Sequence, residues 1–365
     1  MQELDGLRAL AFFAILWHHW APQYQFGLPL GAGVQLFFVL SGFLITGILL
    51  DYRDQCEQPD GPSKEEGLKI FYLRRFLRIL PLFYAVLLGA LILNVSNLRE
   101  TWPWYFLNGA NFLFAIEGDI PRNPLTHFWT LAVEEQFYLF WPGVILFARR
   151  SSLRNIILGL LIFAPLFRIG MSAAIPGWHR VNYLPFSCLD ALSVGALLAL
   201  VARDGTPQGA SDSASALANR LGVIGLAGGA VSAVLLVLTR KAEWAESLGH
   251  TFLVVFFGWV VWRAATGFGW GIGAGLRWTP LVYLGKISYG LYVYHHFFTY
   301  LDFKPVLGAA GLPPEWANSL AVRFPLQFAF TLLLAAASWH FFESPLNDLK
   351  RHFTLRRSAS GGRTR

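Results

Sequence analysis

A series of apolar runs, bounded by basic residues or by Pro and Gly, fills this sequence from residue 4 to residue 342. Runs of that length are buried either in a bilayer or against one another. In a bilayer, open chains survive only as helices that satisfy their own backbone hydrogen bonds. The composition points the same way, with 55% hydrophobic and 14% charged residues among 365; a soluble domain carries about 25% charged. The expected fold class is all-α, a polytopic transmembrane helix bundle. The net charge of +7 is not read as a nucleic-acid signal, because Lys and Arg gather at the ends of apolar runs and in the tail, where they set topology. Cys56 and Cys188 make no disulfide framework. The first run follows acidic Glu3 and Asp5 and ends in His18-His19, so it is read as a membrane span and not as a signal peptide.

The second run is residues 33–50, in which Ser41-Gly42 lets a neighbouring backbone come close. A polar loop, 51–67, precedes an amphipathic stretch at 68–80, which Pro81 separates from a third run at 81–94. Further runs are expected at 127–147, 156–168, 185–201, 221–238, 248–262, 279–300 and 321–342. Residues 102–116 are apolar but interrupted by Asn108, Gly109 and Asn111, and either cross or re-enter. If they do not cross, the basic stretches all face one side, giving about ten spans with cytoplasmic N- and C-termini. Residues 204–215 are expected to be a flexible cytoplasmic linker, and the tail from Ser358 to be disordered.

Ionisable residues inside such runs are costly unless paired or solvated, which makes each a functional candidate. Arg8 and His19 share the first helix, eleven residues and about 16 Å apart along its axis. The plainer reading is an arginine that snorkels and a histidine at the interface. Thr130, Glu134 and Tyr138 form one polar stripe; Ser288, Tyr292 and His295 form another, and both compete with purely structural packing. Arg74, Arg75 and Arg78 fall on one side of a helix, a spacing suited to phosphate, although a basic flank is also ordinary topology. Asp190 is a charge inside a run with no evident partner.

Six blocks taken together are more specific: LDGLRALAFFAILWHH, GVQLFFVLSGFLITGILL, FYLRRFLRILPLFY, HFWTLAVEEQFYLFWP, LGKISYGLYVYHH and the closing FFESP. In this order, from residue 4 to 345, they make the chain resemble the membrane-bound acyltransferase 3 family of bacterial sugar O-acyltransferases, the O-antigen and exopolysaccharide acetylases among them. The resemblance implies a transmembrane acyltransferase domain at 1–345, followed by a basic tail at 346–365 and no appended hydrolase-like domain. It implies His19, Glu134 and His295 as catalytic residues, and Arg8, Arg75 and Arg78 as ligands of the acyl-CoA co-substrate, most simply acetyl-CoA. Glu343 and Pro345 match its terminal E-x-P. Gln35 stands where the family usually has Asp, and Thr130 where it has Ser.

The expected reaction moves an acyl group from cytoplasmic acyl-CoA to a hydroxyl of an exported glycan or lipid-linked sugar. No metal is expected. His19 serves as general base or as a transient acyl carrier, with Glu134 orienting it. The expected location is the bacterial inner membrane, with lipid as surroundings. The competing class is a proton-coupled transporter or flippase, in which the same His and Glu form a relay.

Overall fold

In a computed structural model, the described residues are 1–117, 123–175, 179–204, 207–239 and 242–354. They are all-helical, with no strand among them. In chain order the α-helices are α1 (Gln2–Trp20), α2 (Gly33–Cys56), α3 (Lys64–Ile92), α4 (Leu98–Phe106), α5 (Ala110–Glu117), α6 (Phe128–Phe147), α7 (Arg150–Ala174) and α8 (Leu189–Val201). There follow α9 (Pro207–Leu238), α10 (Glu243–Thr266), α11 (Trp270–Leu276), α12 (Thr279–Lys286), α13 (Ser288–Thr299), α14 (Lys304–Ala309), α15 (Leu320–Ser338) and α16 (Ser344–Asp348).

Among the described residues six helical stretches are long and apolar enough to cross a membrane: Leu30–Cys56, Lys64–Ile92, Arg150–Ala174, Ser211–Leu238, Glu243–Thr266 and Leu320–His352. With 19 and 20 residues, α1 and α6 have the length but are too polar to join them, because they carry the ionisable motifs. The protein is thus a multi-pass helical bundle.

Several expectations are corrected. Pro81 does not separate two elements: α3 runs through it as one 29-residue helix, started by Ser63, whose hydroxyl accepts from the Glu66 N–H at 3.1 Å. The proline removes one N–H from the ladder, and Tyr289 supplies a donor nearby, to the Ile79 carbonyl at 2.9 Å. Residues 207–215 are no linker but the first turns of α9, with Ala214 and Ala218 buried and Ser215 Oγ accepting from Trp262 Nε1 at 3.1 Å. Residues 102–116 split into α4 and α5, whose nine and eight residues rise only about 12–14 Å each. The run at 279–300 is two helices that meet at Ile287. The tail beyond Ser358 lies outside the described residues.

Helix α1 is central. It packs on α2, α12 and α13 and contributes to two of the hydrophobic clusters. Helices α2 and α8 pack backbone against backbone: a Cβ at Gly42 would strike the Leu192 carbonyl, and one at Gly195 the Val39 carbonyl. Only glycine lets the two backbones approach so closely, as the Ser41-Gly42 pair led one to expect.

The partner of Asp190 is Arg168. The two are 1% and 0% exposed and meet at 2.7 Å, and the same guanidinium donates to the Ser187 carbonyl and, at 2.6 Å, to Thr251 Oγ1. This pair fastens α7, α8 and α10 to one another. Removing one charge strands the other in an apolar interior. Arg168→Ala or Asp190→Ala should therefore destabilise the fold by about 3–5 kcal/mol, read as loss of monodisperse protein on heating in detergent. The double change Arg168→Met/Asp190→Leu should cost clearly less than either single change; equal losses would show that the pair carries no such load.

Candidate active site

Helix α1 places Arg8 near one end of the bundle interior and His19 near the other, and each falls into a different cluster. His19 Nδ1 lies 2.9 Å from His295 Nε2, with the two rings stacked at 5.1 Å between centroids. Two further imidazoles close the cluster. His296 sits 4.7 Å from His19, and His127 sits 5.1 Å from His295 and 5.2 Å from His296, centroid to centroid. His127, His295 and His296 are buried, while His19 keeps part of its surface accessible. Of the four, it is the one a substrate can touch. His18 turns away and meets Gln25 Oε1 at 3.3 Å.

The hydrogen bonds fix the tautomers. His295 Nδ1 is 2.6 Å from the Tyr292 carbonyl, which can only accept, so this nitrogen carries the proton. In a neutral imidazole the other nitrogen is then bare. His295 Nε2 accepts, His19 Nδ1 donates to it, and the lone pair of His19 is left on Nε2. The histidine on α13 thereby turns the basic nitrogen of His19 away from the pair.

The second cluster surrounds a cavity of about 230 Å³ lined by Arg8, Arg75, Arg78, Ser41, Thr130, Glu134, Tyr138, Tyr289 and Tyr292 among others. Arg8 pairs with Asp5 at 2.8 Å. Arg75 lies 3.7 Å over the Tyr138 ring, a cation–π contact, and its buried Nε has no hydrogen-bond partner among the described residues. Tyr138 donates to Ser41 Oγ at 2.9 Å, and Ser41 donates to Glu134 Oε1 at 2.5 Å. Arg78 presents exposed surface to the cavity. Arg74, expected on the same side, turns instead to the Phe353 carbonyl at 3.2 Å.

The six residues singled out from the sequence thus fall into two groups. His19 and His295 come together; Arg8, Arg75, Arg78 and Glu134 line the cavity. The expected contact between Glu134 and His19 is not formed: among the described residues no hydrogen bond joins them, and the carboxylate is occupied by Ser41. Tyr292 joins the two groups. Its hydroxyl meets Thr130 Oγ1 at 2.7 Å at the cavity wall, and its carbonyl holds His295. The Thr130 hydroxyl donates to the His127 carbonyl at 2.9 Å as well as meeting Tyr292. Gln35 Oε1 is buried without a partner among the described residues. Glu343 is buried within the π-helical turn Trp339–Glu343 and accepts from Ser338 Oγ at 2.9 Å.

Sequence reasoning missed His127 and His296. His127 does carry a signal, since it precedes Thr130 by three residues and Glu134 by seven, extending the polar stripe of α6 by one turn. His296 has none beyond its adjacency to His295.

Comparison with known proteins gives the family to which the chain belongs. The profile of the Acyl_transf_3 family, described as an acyltransferase domain, matches residues 1–340. The peptidoglycan O-acetyltransferase OatA of Listeria monocytogenes is 27% identical over 94% of this chain and 55% of its own length. The O-acetyltransferase OatA of Staphylococcus aureus is 30% identical over 94% and 56%. For the putative peptidoglycan O-acetyltransferase YrhL of Bacillus subtilis the figures are 26%, 94% and 54%. The chain spans about half the length of these curated relatives. No solved structure matches it. With the matched profile covering nearly every residue, and both clusters inside it, the chain belongs to the acyltransferase 3 family.

Proposed function

We propose that this protein is a multi-pass O-acetyltransferase of the bacterial cytoplasmic membrane, moving an acetyl group from acetyl-CoA to a sugar hydroxyl of peptidoglycan. The observation that carries the reading is the division of α1: an arginine-lined cavity around Arg8, and about 16 Å further along the helix a partly accessible histidine whose lone pair is aimed by a fixed neighbour. The acceptor follows the peptidoglycan O-acetyltransferases among its relatives in preference to O-antigen or exopolysaccharide. The transporter reading finds no support in the family or in these relatives.

In this mechanism Arg8, Arg75 and Arg78 hold the donor's diphosphate through charge-assisted hydrogen bonds, and the pantetheine arm passes Thr130 and Tyr292 toward the histidines. The acceptor oxygen attacks the thioester carbon while His19 Nε2 takes the hydroxyl proton. The C–S bond breaks, the thiolate of coenzyme A leaves, and the proton returns to it. His295 keeps His19 in the productive tautomer. Glu134, through Ser41 and Tyr138, orders the cavity side of α6. About ten spans with both termini cytoplasmic would put the arginines on the side where the donor is made.

Membranes containing the protein, given labelled acetyl-CoA and isolated peptidoglycan, should transfer label to base-labile esters on the glycan; absence of transfer from acetyl-CoA to any glycan defeats the reading. His19→Ala should lower transfer roughly 10²–10⁴-fold, with His18→Ala far milder. His295→Gln should retain more activity than His295→Ala, since its amide oxygen can accept from His19 Nδ1; identical losses would remove the tautomer role.

Arg78→Ala should raise the apparent KM for acetyl-CoA by about 10–100-fold, the equivalent of about 1.5–3 kcal/mol for a charged hydrogen bond. Arg78→Lys should recover only part, because lysine lacks the planar fork. An unchanged KM with altered topology would reduce the arginines to a charge flank.

A further inference from the structure

The three arginines lining the cavity each have a carboxylate at hand. Arg8 pairs with Asp5, Arg75 lies in the field of Glu134 and Glu135, and Arg78 in that of Glu343. Beside them stand two cations with neutral partners. The turn Leu349–His352 follows α16 and packs on α3. Its Lys350 lies within Coulombic reach of Arg74, Arg75 and Arg78 together. The ammonium donates to the Asn347 carboxamide, and the Arg74 guanidinium to the Phe353 carbonyl at 3.2 Å. Among the described residues neither Lys350 nor Arg74 forms an ion pair. Four like charges gathered where this turn meets α3 repel one another, and an anion bound among them relieves that repulsion.

The chemistry of the donor says which anion. With the thioester at the histidines and the diphosphate at the cavity arginines, what remains outermost is the nucleotide end and its 3′-phosphate. Lys350 and Arg74 do not line the cavity; they stand beside it, where the Leu349–His352 turn packs on the segment of α3 that carries Arg75 and Arg78. We propose that Lys350 and Arg74, backed by Arg78, form a separate subsite for the 3′-phosphate of the donor nucleotide. This subsite rests on the acyl-CoA reading above. The terminal segment after the E-x-P is then part of the donor site, carried onto α3 by the hydrogen bond between Arg74 and Phe353.

The test compares coenzyme A with 3′-dephospho-coenzyme A, by equilibrium binding to the purified full chain in neutral detergent. The unmodified protein should prefer coenzyme A by about tenfold, a single charged contact. Lys350→Gln and Arg74→Gln should each weaken coenzyme A by about tenfold and shift the dephospho form by less than about twofold, abolishing the preference. Lys350→Arg should restore it, which separates lost charge from misfolding. Arg78→Gln should weaken both ligands, and Lys304→Gln, at the start of α14, neither. Equal weakening of both ligands by Lys350→Gln, or no effect on either, overturns the subsite and leaves the donor reading intact. Failure of the unmodified protein to bind coenzyme A at all overturns both.

Discussion

In an apolar bundle every ionisable side chain must find a partner within reach, and the way this chain meets that demand shapes its interior. Arg168 and Asp190 solve it by pairing with each other and with Thr251, which fixes α7 against α8 and α10. His19 solves it through His295 and the Tyr292 carbonyl, and Glu134 through Ser41 and Tyr138. The first arrangement is shut off from solvent, with both groups fully buried and Arg168 Nε left without a hydrogen-bond partner among the described residues. The other two leave something open: a bare nitrogen on His19 in one, a cavity with exposed Arg78 in the other. Buried polar networks that are fully satisfied rigidify a fold; those left partly open are where chemistry can enter.

The two open networks share α1, α6 and α13. Helix α1 supplies Arg8 to one and His19 to the other, α6 supplies Glu134 and His127, and α13 supplies Tyr292 and His295. Because three helices serve both, the separation between the arginine-lined cavity and His19 is set by helix geometry and not by loops. Tyr292 is the point at which they touch. Its hydroxyl meets Thr130 at the cavity wall, and its carbonyl accepts from the imidazole that orients His19.

Helix α3 has a corresponding role on the charged side. Its continuity through Pro81 keeps the basic segment in register with the apolar half, and Arg75 and Arg78 line the cavity to which α1 and α6 also contribute. Arg74 is directed the other way, toward the segment after α16. Three neighbouring arginines of similar sequence surroundings thus perform three tasks: stacking on Tyr138, facing the cavity, and holding the end of the bundle.

The sequence by itself determined the all-helical class, most of the helices and six of the residues in the two clusters. Apolar run length and period are local quantities, and the ordered motifs were long enough to mark the family. It also marked Gly42 as a point of close approach, because a glycine beside a serine in an apolar run has few other uses. Only the tertiary structure decided which residues meet. Arg168 and Asp190 are 22 positions apart, His19 and His295 are 276 apart, and no periodicity encodes such pairings. The same limit misled the expectation that Glu134 orients His19: depth along two helices placed them in one layer, but rotation about each axis decides contact, and rotation follows from packing. The segment at 207–215 was misread for the converse reason, since its Ser, Asp and Gly are poor helix formers whose helix is held by burial of Ala214 and Ala218 against a neighbour the sequence does not name.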